Sequence, residues 1–185
     1  MPGKATHEEP PVNPSARIEA LRLEDDGTYP NNGALPALHY RRAFALPPRE
    51  PARVIERCFH ANGWSNGWRD GVYDCHHYHS AAHEVLGCYA GTARVQLGGP
   101  QGSELYVSAG DVVVIPAGVA HKRLSASDDF RVVGCYAGGR DYDMNYGKAS
   151  ERPQADENID RVPAPDSDPV YGKSGPLMQH WVRAR

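Results

Sequence analysis

Apolar residues in this chain fall mostly in short runs of alternating or continuous pattern, and one stretch alone repeats them at helical spacing. Ile18 to Glu24 reads as a strand, ended by the turn signal Asp25-Asp26-Gly27 and the loop Pro30 to Gly33, and Leu38 to Phe44 reads as a second strand. After Pro47-Pro48-Arg49-Glu50-Pro51, the residues Val54, Ile55, Cys58 and Phe59 recur as on one face of a helix, and Asn62-Gly63 supplies its stop. One apolar stripe on an otherwise polar helix predicts packing on the outside of a larger structure.

From Tyr73 to Tyr136 the apolar runs are short and broken by Gly and Pro, including the turn Gly98-Gly99-Pro100-Gln101-Gly102, which predicts a closed or sandwiched antiparallel β fold. Beyond Gly138-Gly139 the chain becomes polar and Pro-rich as far as Trp181. Tyr171, Leu177 and Trp181 stand isolated there and need somewhere to bury, so this segment is expected to wrap the barrel in irregular form. Residues 1–15, rich in Pro and Glu, read as a flexible arm. Residues 16–185 then form one domain, with a barrel core at about 64–140 and a wrapping segment at 141–185; no internal repeat is visible.

Two spaced motifs carry the chemistry. Gly71 is followed after five residues by His77-Tyr78-His79, then after four by Glu84 and after six by Gly91. Eighteen residues further on, Gly110 is followed after five by Pro116-Ala117-Gly118 and after two by His121. Residues two apart in a strand share a face, so His77 and His79 point inward together while Tyr78 points away. Ser80 to His83 turn the chain, and Glu84 opens a strand to Ala90 that is expected to run back beside the first. Val112 to Ile115 is a buried strand by composition, and the Pro116-Ala117-Gly118 reversal delivers His121 as a third imidazole. A lone His-x-His in a chain with nine histidines is weak evidence. With the carboxylate at a fixed offset and the second motif in the right order, the set predicts a mononuclear centre for one divalent transition metal. Fe, Mn, Ni, Zn and Cu all suit three imidazoles and a carboxylate.

These two motifs resemble those of the cupins, with Ser125 standing where the second motif usually ends in Asn, a position that is not a ligand in that family. The chain further resembles the YjlB-like branch over Asp25-Asp26-Gly27-Thr28, Pro30-Asn31-Asn32, Asn62-Gly63-Trp64, Trp68-Arg69-Asp70-Gly71, His76 to His79, His83 to Gly87, Gly110 to Lys122 and Asp168 to Gly172. The resemblance implies an all-β cupin, a double-stranded β-helix or jelly-roll barrel with one outer helix, holding metal at His77, His79, Glu84 and His121. It also implies a homodimer, since exposed sheet edges need covering.

Other residues near the motifs have alternative readings. Cys75 and Cys88 fall on the inward face by strand period, and with Cys58 and Cys135 are read as reduced core thiols rather than ligands. His76 and His83 suit surface or supporting hydrogen-bond roles. Trp64, Trp68 and Tyr73 either pack or line the mouth of the pocket. Arg123, two residues after His121, either shares its inward face and holds an anion bidentately or sits in solvent at the barrel mouth.

A net charge of −3 with scattered Lys and Arg excludes a basic stripe for nucleic acid or a membrane surface, and no apolar run suggests a signal peptide or transmembrane helix. A cytoplasmic protein with a small-molecule ligand, expected to be anionic, follows. Four protein ligands on a six-coordinate ion leave two positions open, which favours an enzyme with Glu84 and Arg123 as catalytic residues. For this ligand set the resemblance to the cupins implies dioxygenation of an enolate-like substrate, oxalate-type chemistry or sugar isomerisation. The alternative is a cupin that binds or senses a metal and small ligand without turnover.

Overall fold

The computed structural model describes residues 11–182. The strands are β1 (Arg17–Leu23), β2 (Asn32–Arg41), β3 (Trp64–Asp70), β4 (Glu84–Ala90), β5 (Thr92–Leu97), β6 (Ser103–Ser108), β7 (Val112–Ile115), β8 (His121–Ala126) and β9 (Arg131–Ala137). They form two antiparallel sheets, β1-β2-β7-β4-β9-β3 and β6-β5-β8, packed as a jelly-roll sandwich. The helices are α1 (Pro51–Ala61), α2 (Gln154–Arg161) and α3 (Pro176–His180). Among the described residues no helix is long and apolar enough to cross a membrane.

Strand β7 shows why the central runs are continuously apolar. Val113 and Ile115 join Leu86, Cys88 and Val132 of the larger sheet with Val95, Leu97 and Leu105 of the smaller one, forming the core between the sheets. Val112 and Val114 point the other way, into a second core with Ile55, Cys58 and Phe59 of α1 and with Leu177 and Trp181. A sheet covered on both faces has no polar side, so alternation vanishes from its middle strands. Gly87 marks the close approach of α1, because a Cβ there would lie 2.5 Å from Cγ2 of Ile55 and 2.9 Å from Cζ of Phe59.

Several expectations shift. Strand β2 begins at Asn32, six residues before the expected Leu38, and Pro36 is accommodated where the β1–β2 register slips between Leu21 and Leu23. Strand β4 does not run back beside the His77–His79 segment; it pairs with β7 and β9, and His77 bridges instead to His121. Of the arm expected at 1–15, residues 1–10 lie outside the described residues. Val12 bridges to Phe44, and the backbone carbonyl of Asn13 accepts the Tyr171 hydroxyl, so this part of the arm is fastened to the sheet and the tail.

The end of the tail packs on the helix side of the larger sheet. Leu177 and Trp181 are buried, the Trp181 indole donates to the Pro36 carbonyl, and the half-buried Tyr171 stacks on Tyr40. Asp168, fully buried, is the polar hub: its carboxylate accepts the Tyr40 hydroxyl (2.8 Å) and the backbone N–H groups of Val170 (2.8 Å), Tyr171 (2.9 Å) and Leu177 (3.0 Å).

Candidate metal centre

The second motif is shaped by its turn. Gly118 has φ +92°, and a Cβ there would lie 2.4 Å from the Asn31 carbonyl, so the reversal that sends the chain into β8 requires glycine. The Ala117 N–H donates to Nδ1 of His83 (2.9 Å) and the Ala120 N–H to Oδ1 of Asn31 (3.1 Å). His83 is thus a buried fastener of the loop that delivers His121. On the other side, His77 and His121 exchange backbone hydrogen bonds of 3.2 and 2.9 Å, which sets their rings 4.1 Å apart.

The imidazoles of His77, His79 and His121 are buried, with one ring nitrogen from each within 4.8 Å of the others. In every case Nδ1 faces a carbonyl: Cys75 O at 3.0 Å from His77, Asp143 O at 2.6 Å from His79 and Val119 O at 3.1 Å from His121. A carbonyl only accepts, so each Nδ1 carries a proton and each ring is turned to offer Nε2 to the interior. Glu84, at the head of β4, is equally buried; its Oε2 lies 3.4 Å from Nε2 of His79 and 3.2 Å from Nε2 of His121. That oxygen nevertheless makes no well-aligned hydrogen bond. Lone pairs converging on an unsatisfied carboxylate form an arrangement that a cation satisfies, and the donor set fits a divalent transition metal.

YjlB from Bacillus subtilis (strain 168), an uncharacterized protein, is 43% identical over 159 residues, which cover 86% of this chain and 93% of YjlB. The chain belongs to the YjlB-like family. No family model matches it. Partial likenesses among solved structures include the epimerase RmlC from Legionella pneumophila, 13% identical with a TM-score of 0.36 over 65% of this chain and 71% of that one. Another is a DUF861 protein from Thermotoga maritima, 21% identical with a TM-score of 0.31 over 48% of this chain and 90% of that one.

Electrostatics in this YjlB-like protein treat two of the rings differently and keep the carboxylate ionised. Burial and the neighbouring imidazoles push the His77 pKa down to about 3. Burial opposes charge on His79 as well, but the Glu84 carboxylate outweighs it and raises the His79 pKa. Burial would raise that of Glu84, and the two facing imidazoles bring it below the usual carboxylate range instead.

The ligand atoms open onto a cavity of about 280 Å³. Trp68 and Tyr73 line it, as one reading of the sequence has it, whereas Trp64 does not: it is a buried core residue whose indole donates to the Ser167 carbonyl. Trp68 donates to the Tyr136 hydroxyl at 3.0 Å, and burial together with the Glu84 charge keeps Tyr136 protonated. At the mouth, Tyr73 (61% exposed) stands edge-on to His77, and Tyr142 (44% exposed) stands edge-on to His79 and stacks on Tyr136. Arg69 lines the rim with its guanidinium bound to both oxygens of Glu56.

Arg123 is absent from the walls of this cavity. Its Nε donates to the Val72 carbonyl (3.0 Å), and it lines a neighbouring groove that shares the Asp70–Tyr73 wall, which corrects the expectation of a guanidinium facing the ligands. Cys75, expected inward, is exposed, because the segment before His77 is not a regular strand and strand parity does not reach it; Cys58, Cys88 and Cys135 are free and buried. The contributions of Tyr136, Tyr142, Asp143 and Met144 were not legible in the motifs. For Tyr142, Asp143 and Met144 the signal is only an aromatic and acidic stretch after Gly138-Gly139.

Proposed function

We propose that this protein is a metal-dependent cupin enzyme acting on a small molecule, with His77, His79, His121 and Glu84 as the ligands of one divalent transition ion. The observation that carries the reading is the cluster of three buried imidazoles with Nδ1 held by carbonyls, two of them beside the unsatisfied Glu84 oxygen, lining an open cavity. A bound ion would supply Lewis-acid or one-electron chemistry to oxygen atoms of a ligand. The chain's own groups do the rest. Leu86, Trp68 and the tyrosine pair restrict water, and the Tyr136 hydroxyl, which accepts the Trp68 indole, stays protonated beside Glu84.

A small anion that chelates through two oxygens, an enolate or carboxylate, suits such a floor. The reaction classes we favour are, in order, dioxygenation of an enolate-like substrate, oxalate-type chemistry and sugar isomerisation. Arg123, in the neighbouring groove, lies beyond the Asp70–Tyr73 wall from such a ligand. Elemental analysis of protein purified without a His-tag, followed by metabolite screening with the metal it retains, tests the reading. Stoichiometric metal with turnover supports it. Stoichiometric metal with ligand binding but no turnover favours the non-catalytic binding or sensing cupin, and protein that retains no metal after loading overturns both.

A further inference from the structure

Two of the three imidazoles are oriented locally: His77 and His121 each hold Nδ1 against the carbonyl two residues back in their own segment. His79 differs. Its Nδ1 donates to the backbone carbonyl of Asp143, 64 residues away in the tail. The Asp143 side chain then accounts for why that carbonyl is there. Its Oδ1 accepts the N–H groups of Ser80 (2.7 Å) and Ala81 (3.0 Å), and its Oδ2 accepts the Ser80 hydroxyl and the Asn145 amide (2.7 Å). Tyr78 and Asn145 add a pair of backbone hydrogen bonds of 2.9 and 3.0 Å, and Asn158 donates to the Ser80 hydroxyl.

With four donors on its two oxygens, the carboxylate has no capacity left for a metal or substrate, so its work is mechanical. The same clamp sets Tyr142 over His79 and Met144 in the cavity wall. We propose that Asp143 is a positioning residue, clamping the tail to the first motif so that one docking event both orients His79 for the metal and closes the mouth of the cavity with Tyr142. This rests on the metal site proposed above. Because the two effects share one clamp, a ligand held under Tyr142 and the metal bind with mutual reinforcement.

The test compares Asp143→Ala with Asp143→Asn, which keeps an acceptor for the Ser80 and Ala81 N–H groups. Loss of such an outer partner typically lowers metal affinity about 10–100-fold. Chelator competition with Co(II) alone as the probe should find that loss for Asp143→Ala, with a changed visible spectrum, and an affinity within about threefold of wild type for Asp143→Asn. Wild-type affinity and spectrum in Asp143→Ala overturn the proposal. If Asp143→Ala does not fold, Asn145→Ala takes its place, removing one clamp donor, and unchanged Co(II) affinity there counts against the clamp. Nitrogen NMR of the metal-free protein at alkaline pH separates this proposal from the metal reading. His79 protonated on Nδ1 in wild type and redistributed in the alanine variant supports the clamp even if no metal binds, and an unchanged tautomer counts against it.

Discussion

Asp168→Asn isolates the polar hub that holds the tail. Oδ2 of Asp168 accepts the Tyr40 hydroxyl and the Leu177 N–H, and Oδ1 accepts the N–H groups of Val170 and Tyr171. An amide of the same shape must set an NH2 group where one of these oxygens stands. Replacing Oδ2 is the cheaper choice, because the Tyr40 hydroxyl can turn round and accept, leaving only the Leu177 N–H stranded. One buried N–H without a partner costs about 1–3 kcal/mol, and the remaining bonds lose their charge assistance, so a total near 3 kcal/mol is expected. For a chain of this length that corresponds to a fall in melting temperature of roughly 6–12 °C. Scanning calorimetry measures it, with metal content at neutral pH as the control. Asp168 packs with Tyr40 on the helix side of the larger sheet, away from the ligand cavity, so retained metal should not change. A melting temperature within about 2 °C of wild type would refute the hub, and a large loss of metal would refute its separation from the site.

Wild type loaded at neutral pH should keep close to one equivalent of metal after desalting and release it in acid, where protons compete for the imidazoles, while His77→Ala combined with His121→Ala should keep less than about a tenth of an equivalent. Chelation should lower the melting temperature without unfolding the protein at room temperature, since two apolar cores stand without the metal; collapse of the far-ultraviolet circular dichroism on chelation would contradict this. Burial would raise the Asp111 pKa, but the His39 ring and the Arg42 and Ser108 N–H groups bring it below the ordinary 3.8. A carboxylate depressed in the folded state contributes its full stability above its unfolded pKa and loses it as pH falls through the folded value, so Asp111→Asn should melt below wild type at neutral pH and the gap should close below about pH 4; a gap independent of pH refutes it. The outer strands β1 and β3 of the larger sheet leave edges to cover, so light scattering should report a homodimer, and a monomer across micromolar concentrations would remove that expectation.

The local chemistry of this chain determined a good deal. Helical spacing at Val54, Ile55, Cys58 and Phe59, bounded by prolines and by Asn62-Gly63, located α1, because capping and an amphipathic stripe are properties of neighbouring residues. The spacing of the two motifs brought out His77, His79, Glu84 and His121, since each lies within a few residues of the turn that aims it. Tertiary structure decided whatever depends on partners distant in sequence. Strand parity placed Cys75 beside the ligands, yet the irregular segment before His77 leaves it exposed, and the Arg123 guanidinium is turned away by a bond to Val72 that no pattern announces. Asp143 and Tyr142 reach the centre only because the tail folds back on residues 78–81. A polar stretch carries no periodicity to say where its hydrogen bonds will land, so that docking becomes visible only once the sheets have formed.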